Sequence, residues 1–231
     1  MKIGIIAAMQ VEAELLIGKL ENVIKKEICC RTFYSGYKDG KDIIIVVAGI
    51  GKVNAAITTQ CLIDNYNVDL IINTGIAGSL KKEIKLLDIV VAEKLAYHDF
   101  NLNYFGYNLG QVPGEDSRFF EVSTDILENV LDIAKNNDIS VHKDIIVSGD
   151  QFINKEEIKN EIINNFGAGC VEMESTAIAH VCLHNKKQFI IIRSISDNAD
   201  DEASITYEEL EQKAAKNSSD FVEKILKDIN L

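Results

Sequence analysis

The sequence has little arginine, a single proline and no long hydrophobic run, and each shortage narrows what the protein can be. Only three of the 24 basic residues are arginines, the usual residue for gripping phosphate or carboxylate with two hydrogen bonds. One proline, Pro113, and no Gly/Ser-rich stretch leave no linker, so we expect a single domain over residues 1–231. The longest apolar run, residues 43–51, is far shorter than the roughly 20 residues that span a bilayer, so no membrane partner is expected.

Positive charge is scarce as well. The 24 basic residues are outnumbered by 36 acidic ones, which gives a net charge of −12 at pH 7. A protein that binds the phosphate backbone needs a clustered positive field. We therefore expect no nucleic-acid partner.

The five cysteines are odd in number, lie in apolar segments and show no Cys-x-x-Cys spacing. Disulfide frameworks and zinc sites normally use paired cysteines at regular spacings. The pattern predicts reduced thiols packed as small hydrophobes in a cytoplasmic protein.

Short apolar, β-branched runs recur along the chain and alternate with amphipathic stretches. Continuous runs of this kind fit strands that are buried on both faces. The runs are 3–7, 43–47, 70–72, 89–92, 145–147 and 189–192, and the amphipathic stretches are 53–63, 126–134, 177–183 and 210–229. Residues 38–41, Lys-Asp-Gly-Lys, predict a hairpin turn. The predicted fold class is α/β, a single domain with a mixed, mainly parallel β-sheet flanked by helices.

Residues 97–120 form the longest stretch without a periodic pattern, and this stretch is rich in aromatic side chains. A long loop of this composition is usually functional or part of an interface. We therefore treat it as a candidate interaction segment.

Three carboxylates occupy positions where a solvated side chain is not expected. Glu12 shares a helical face with Met9 and Leu16, and Glu174 is predicted to share one with apolar residues of the next helix, whereas Glu172 points with Ser175 and Thr176. Asp197 ends a strand, on the same alternating face as Arg193. Burying a carboxylate without a partner costs several kcal/mol, so such groups have a chemical role or a dedicated donor. For each residue taken alone, a helix cap or a simple ion pair is the competing interpretation.

Other motifs are weaker. Residues 49–54, Gly-Ile-Gly-Lys-Val-Asn, lack the third glycine of a dinucleotide fingerprint and the Ser/Thr of a Walker motif. His180 and His184 stand four apart on a helix, a spacing that metals use, but no third ligand lies at a matching offset. We therefore expect neither a cofactor nor a metal.

The chain resembles the bacterial 5′-methylthioadenosine/S-adenosylhomocysteine nucleosidases of the purine nucleoside phosphorylase superfamily. The resemblance covers nearly the whole sequence, and the Val-Glu-Met-Glu and Ser-Asp motifs are its most specific parts. The matching segments are residues 1–9 with Glu12, 48–53, 72–75, 105–107, 110–114, 146–153, 171–182 and 193–197.

The resemblance implies hydrolysis of the N-glycosidic bond of 5′-methylthioadenosine, S-adenosylhomocysteine and 5′-deoxyadenosine, releasing adenine, in methionine salvage and removal of the methyl-cycle by-product. Asp197 would protonate the purine at N7, Glu12 would activate the attacking water, and Glu174 would bind the ribose hydroxyls. Further implied substrate contacts are Met9, Ile50, Gly78, Phe152, Ile153, Met173, Arg193, Ser196 and Tyr207. Phe105, Tyr107 and Pro113 would reach the pocket of a second subunit, which implies a homodimer.

Three alternatives stay open. A phosphorylase of the same fold would use phosphate instead of water, but only Arg193 lies among the site motifs. A futalosine-type nucleosidase would differ at the 5′ end of the substrate. A non-catalytic nucleoside-binding or storage protein would have no need of Glu12, Glu174 and Asp197 together.

Overall fold

A computed structural model describes residues 1–229, apart from the side chain of Thr206, and it shows one mixed sheet with helices around it. The strands are β1 (Lys2–Ala7), β2 (Glu21–Ile28), β3 (Arg31–Lys38), β4 (Lys41–Val47), β5 (Leu70–Ser79), β6 (Ile89–Tyr97), β7 (Phe120–Glu121), β8 (Val141–Ser148), β9 (Cys170–Glu172) and β10 (Gln188–Asp197). The helices are α1 (Gln10–Ile17), α2 (Lys52–Tyr66), α3 (Thr124–Asn136), α4 (Glu156–Phe166), α5 (Ser175–His184) and α6 (Ala203–Asp228).

The strand order is β10-β6-β8-β9-β5-β1-β4-β3-β2, with β7 added beside β6. An additional pairing of β10 with β5 closes five of these strands into a ring. The two longest pairings, β10 with β5 and β6 with β8, are parallel, whereas β2, β3 and β4 pair antiparallel. The predicted α/β class with a mixed, mainly parallel sheet is confirmed.

The strands at the centre of the sheet are buried on both faces, as their continuous apolar runs predict. All ten residues of β5 and nine of the ten in β10 are buried. The predicted hairpin is also present, since Lys38 pairs with Lys41 around Asp39 and Gly40, which both have positive φ. Strand β2 was not predicted, because it is an exposed edge strand with no apolar alternation.

The cysteine prediction was wrong in part. The structure joins Cys29 to Cys61 in a disulfide that links the turn between β2 and β3 to α2, and Cys30 is exposed. Positive φ at Cys29 and Cys30 folds the hairpin tip toward the helix, a contact between distant segments that spacing does not reveal. Cys170 and Cys182 are buried free thiols, as expected, and burial raises the pKa of both.

No helix within residues 1–229 combines the length and the apolar composition needed to cross a bilayer.

Helix α6 packs along β5 and β10 and is fastened there by two consecutive buried serines. Ser218 Oγ lies 2.7 Å from Thr74 Oγ1, and it accepts a hydrogen bond from the backbone N–H of Gly75 at 3.3 Å. Ser219 Oγ donates to the backbone oxygen of Glu12 at 2.9 Å. The C-terminal helix thus holds the middle of β5 and the first turn of α1, next to the site described below.

We expect Ser218→Ala to destabilise the fold, because it leaves the Thr74 hydroxyl and the Gly75 N–H buried with one partner fewer. The free energy of unfolding in urea should fall by about 1–3 kcal/mol. Ser140→Ala, at an exposed position, is the matched control and should stay within about 0.5 kcal/mol of the parent. Equal stability of the two variants would contradict the role given to Ser218.

Candidate active site

The ends of β1, β4, β5 and β10 meet at one edge of the sheet around a cavity of about 450 Å³. Ligands of α/β proteins commonly bind beyond the carboxyl ends of strands. The lining residues are Ala8, Met9, Glu12, Ile50, Ile76, Ala77, Gly78, Phe152, Val171, Glu172, Met173, Glu174, Arg193, Ser196, Asp197, Ser204, Tyr207 and Glu208.

Glu12 is held at the start of α1 with its two carboxylate oxygens in different surroundings. Oε2 accepts the backbone N–H groups of Ala8 and Met9, both at 2.8 Å, so it caps the helix. Oε1 accepts the N–H of Ile76 at 3.2 Å and lies beside Gly75 on β5, where an added Cβ would sit 2.7 Å away. The cap interpretation of Glu12 is therefore confirmed through Oε2, while Oε1 lies against β5 at the cavity.

Burial raises the pKa of Glu12, and the charge of Arg193 and the three N–H donors offset this effect only in part. The residue is 1% exposed. A raised carboxyl pKa moves the group toward the range in which a general base works near neutral pH.

Arg193 lies at the base of the cavity and is 1% exposed. Its Nη2 lies within hydrogen-bond distance of Glu172 Oε2 at 2.5 Å, Asn73 Oδ1 at 2.7 Å and Ser175 Oγ at 2.8 Å, and Nη1 donates to the backbone oxygen of Ile76 at 3.5 Å. Nη1 lies next to Gly75, where a Cβ would meet it at 2.1 Å. The guanidinium is thus committed to protein partners, and glycine at 75 is required for its close approach to the strand.

Glu172 is the main counter-ion of Arg193. Its Oε2 also accepts the N–H groups of Glu174 at 2.9 Å and Ser175 at 2.8 Å, and Ser148 donates to Oε1. The interpretation that Glu172 points with Ser175 is confirmed. Its part in the charge network was missed, because the sequence does not show which buried cation it would meet.

Glu174 precedes α5 and is 4% exposed. Its Oε1 accepts the N–H of Gly51 at 2.8 Å, and its Oε2 is 3.7 Å from Arg193 Nη2. Burial, and then the neighbouring charge of Glu172, raise the pKa of Glu174 to about 8. Its burial was predicted for the wrong reason: it is the N-cap residue of α5, not a member of an apolar helical face.

Asp197 ends β10 on the other side of the cavity. Its Oδ1 accepts the N–H of Ala199 at 2.9 Å, and its Oδ2 accepts the Ser196 hydroxyl at 2.8 Å. Burial raises the pKa of Asp197 despite these two donors, which favours the protonated acid. A Cβ on Gly78 would lie 2.7 Å from Asp197 Oδ1, so glycine is needed at that position too.

Gly75 beside Glu12 and Gly78 beside Asp197 are three residues apart on β5, about 10 Å along an extended strand. A small molecule can therefore lie between a carboxyl group with a raised pKa at each end. That arrangement suits general acid and general base catalysis on opposite sides of one bond.

The rest of the cavity wall is apolar and aromatic. The rings of Phe152 and Tyr207 meet edge to face with their centroids 5.7 Å apart. The Tyr207 hydroxyl lies 3.3 Å from Met9 Sδ and 3.2 Å from Glu211 Oε1, either of which can accept its one hydrogen. Ile50 and Phe152 are about half exposed, at 52% and 44%, so this end of the cavity is open.

The structure brings together all but four of the site residues named from the sequence. Ile153 instead lines an adjoining cavity of about 30 Å³ that shares Gly78, Phe152 and Asp197 with the main one. Phe105, Tyr107 and Pro113 lie outside the cavity of their own chain, and Phe105 is 69% exposed.

Several residues of the site were missed. Asn73 and Ser175 hold Arg193, Ile76 donates to Glu12, and Ser204 and Glu208 line the mouth from α6. Among these, only Ser175 could have been suspected from the sequence, because it and Thr176 are small polar residues at a predicted strand–helix junction. The others depend on chain crossings that a single sequence does not show.

The chain resembles known proteins over its full length. Residues 2–227 match the model of the phosphorylase superfamily. A 5′-methylthioadenosine/S-adenosylhomocysteine nucleosidase from Exiguobacterium is 41% identical over 98% of both chains. A solved S-adenosylhomocysteine nucleosidase from Streptococcus pyogenes, in complex with 5-methylthiotubericidin, aligns with a TM-score of 0.96 and 32% identity over 100% of this chain and 98% of that one.

A mutant of the futalosine hydrolase of Helicobacter pylori aligns equally well, with a TM-score of 0.96 and 32% identity over 99% of both chains. The likeness in sequence and backbone thus extends to enzymes named for two different nucleosides. The chain belongs to the phosphorylase superfamily and, within it, to the family of the 5′-methylthioadenosine/S-adenosylhomocysteine nucleosidases.

Proposed function

We propose that this protein hydrolyses the N-glycosidic bond of 5′-methylthioadenosine and S-adenosylhomocysteine, and also of 5′-deoxyadenosine. The products are adenine and the 5-substituted ribose, which places the reaction in methionine salvage and in removal of the methyl-cycle by-product. The observation that carries the proposal is a cavity with carboxyl groups of raised pKa on its two sides and a single arginine whose shortest hydrogen bonds go to protein partners.

Asp197 acts as the general acid. Breaking the bond leaves negative charge on the purine, and a proton delivered at N7 neutralises it as the bond lengthens. The raised pKa of Asp197 keeps that proton available, and its hydrogen bonds to Ser196 and Ala199 fix the carboxyl group. Proton transfer of this kind contributes roughly 10²–10⁴-fold to a rate.

Glu12 acts as the general base for the attacking water. Its Oε2 accepts two short N–H bonds at the start of α1, whereas its Oε1 accepts only the longer one from Ile76, so Oε1 is the oxygen that takes the proton. Arg193 carries its charge close to Glu12 and balances it electrostatically, while its own hydrogen bonds go to Glu172, Asn73 and Ser175.

Glu174 and Met173 hold the ribose. The carboxyl group of Glu174 hydrogen-bonds to the ribose hydroxyls, and in its ionised form it stabilises the positive charge that develops on the sugar. Its Oε1 is positioned by the N–H of Gly51, at the start of α2. Met173 packs below the sugar as the apolar floor.

Adenine and the 5′ substituent occupy the two ends of the cavity. Phe152 stacks on the base, the Ile153 backbone reads its edge, and Gly78 with Ser196 leaves room beside Asp197. The 5′ group lies among Met9, Ile50 and Tyr207 at the open end.

A second copy of the chain completes that end in this proposal. Phe105, Tyr107 and Pro113 all belong to the loop at residues 97–120, which we call the aromatic loop. Phe105 and Pro113 are exposed, and none of the three residues lines the cavity of its own chain. Insertion of Phe105, Tyr107 and Pro113 into the neighbour's open end would bury both surfaces. The enzyme is thus a cytoplasmic homodimer whose small-molecule partner is a nucleoside.

Water rather than phosphate is the nucleophile. A phosphorylase needs free cationic groups that can grip phosphate. Among the described residues that line the cavity, Arg193 is the only basic one, and its donors are directed to Glu172, Asn73 and Ser175. Four glutamates line the same space, and in their ionised form they would also repel an anion.

We expect adenine release from methylthioadenosine at the same rate with and without phosphate. The assay follows free adenine by chromatography, with adenosylhomocysteine, 5′-deoxyadenosine and futalosine as parallel substrates. Strict dependence on phosphate would overturn hydrolysis in favour of a phosphorylase. Release from futalosine alone would reassign the 5′ subsite, and binding without release would indicate a storage protein.

We expect Asp197→Asn to lower kcat by at least about 10²-fold, because an amide cannot deliver the proton to the purine. Folding should be retained, since the amide oxygen still accepts one of the two hydrogen bonds made by Asp197. Asp201→Asn, four residues along and exposed, is the matched control and should keep the parental kcat. Parental activity of Asp197→Asn would remove this residue as the acid.

We expect Glu174→Gln to change how stability depends on pH. The pKa of Glu174 is raised by folding to about 8, so its contribution to stability is fully present below its unfolded pKa and is lost as pH rises through the folded pKa. Glutamine does not titrate. The melting temperature of the variant, relative to the parent, should therefore rise between about pH 5 and about pH 9. A constant difference in melting temperature between variant and parent across that pH range would contradict the raised pKa of Glu174.

A further inference from the structure

Outside the site, two histidines and a glutamate converge on the surface between α5 and the loop that follows β6. His184 Nε2 lies 2.8 Å and His180 Nε2 lies 3.5 Å from the same oxygen, Glu115 Oε1. One ligand atom from each residue lies within 4.8 Å of the others. We refer to Glu115, His180 and His184 as the His-His-Glu cluster.

The cluster joins distant parts of the sequence. His180 and His184 are one turn apart on α5, so their rings lie on one face, with centroids 4.9 Å apart. Glu115 comes from the aromatic loop at 97–120, 65 residues before His180. The third ligand that the histidine spacing lacked is therefore supplied by the fold.

The distances suit a zinc-type ion. Zinc binds imidazole nitrogen and carboxylate oxygen at about 2.0–2.2 Å, so neighbouring ligand atoms of a tetrahedral site lie about 3.3 Å apart. The observed separations from Glu115 Oε1, 2.8 and 3.5 Å, lie on either side of that value. All three ligand atoms lie within 4.8 Å of one another, so a cation held between them would draw them closer together.

The surroundings orient the inner histidine. His180 Nδ1 lies 3.1 Å from the Tyr97 hydroxyl, and the His180 ring packs on Phe120 with centroids 4.5 Å apart. When Nδ1 carries the proton and donates it to Tyr97, Nε2 presents its lone pair to the cluster. Histidine ligands of metals are commonly fixed in this way by a hydrogen bond at the other nitrogen.

The site is also accessible to a cation. His184 is well exposed, with 61% of its side chain accessible, so an ion has a path to the site. The net charge of −12 attracts cations to the protein as a whole.

We propose that the His-His-Glu cluster binds one divalent transition-metal ion of the zinc type, with water as a fourth ligand, and that the ion ties the aromatic loop to α5. The site is separate from the catalytic cavity. The apolar cavity beside it, about 290 Å³ and lined by Tyr97 and His180, shares no lining residue with the catalytic one. The ion would therefore act outside the catalytic cavity, on the position of the aromatic loop.

The test is a calorimetric titration of the chelator-treated full chain with Zn²⁺ alone, repeated with Co²⁺ while recording the visible spectrum. We expect one Zn²⁺ per chain and intense Co²⁺ bands that report imidazole ligands in a four-coordinate site. The melting temperature should rise by about 5 °C or more at a hundredfold excess over Kd. His184→Gln and Glu115→Gln should each weaken binding by at least about tenfold and abolish the thermal shift.

His142→Gln is the matched control. His142 Nε2 lies 2.9 Å from Asp88 Oδ2, which makes a partly exposed His–carboxylate pair without a third ligand. This variant should bind Zn²⁺ as the parent does. Absence of stoichiometric binding in the parent would overturn the proposal. Equal binding by His184→Gln would also overturn it and would point to another ligand, such as the exposed thiol of Cys30.

Discussion

The ion pair between Arg193 and Glu172 is the interaction on which the site depends. It is almost completely buried, and desolvating an isolated charge of either sign would cost several kcal/mol. The cost is offset because both partners are also hydrogen-bonded, Arg193 to Asn73 and Ser175 and Glu172 to two backbone N–H groups. Removing one partner would leave a buried charge uncompensated, so the pair fixes how β5, β9 and β10 meet.

The same pair allows two further carboxyl groups to be buried nearby. Glu12 and Glu174 are both within the electrostatic reach of Arg193, which lowers their pKa, whereas burial raises it by more. Asp197 lies on the far side of the cavity. Among the main influences on its pKa, the one cation is Lys159, which lowers that pKa. The outcome is a set of carboxyl groups with raised pKa values, and such groups are useful as acids and bases near neutral pH.

Much of the fold could be predicted from the sequence, because the central strands are long apolar runs and the last helix has a regular apolar face. The burial of Glu12, which shares a helical face with Leu16, could be predicted on the same basis. Contacts that join distant segments could not. Glu115 meets His180 only through the path of the aromatic loop, and Cys29 meets Cys61 only because a turn with positive φ brings it to α2.

The small number of arginines distinguishes hydrolysis from phosphorolysis only when the structure is also considered. One arginine near the site could in principle serve an anionic co-substrate, so the count alone does not exclude phosphate. What excludes it is the direction of the donors: Nη2 of Arg193 is shared among Glu172, Asn73 and Ser175, and Nη1 lies against β5. A phosphate would have to break those bonds and lie among glutamates, whereas a water molecule needs only one acceptor, and Glu12 Oε1 receives a single N–H, from Ile76. Hydrolysis is therefore the reaction that this arrangement of charges favours.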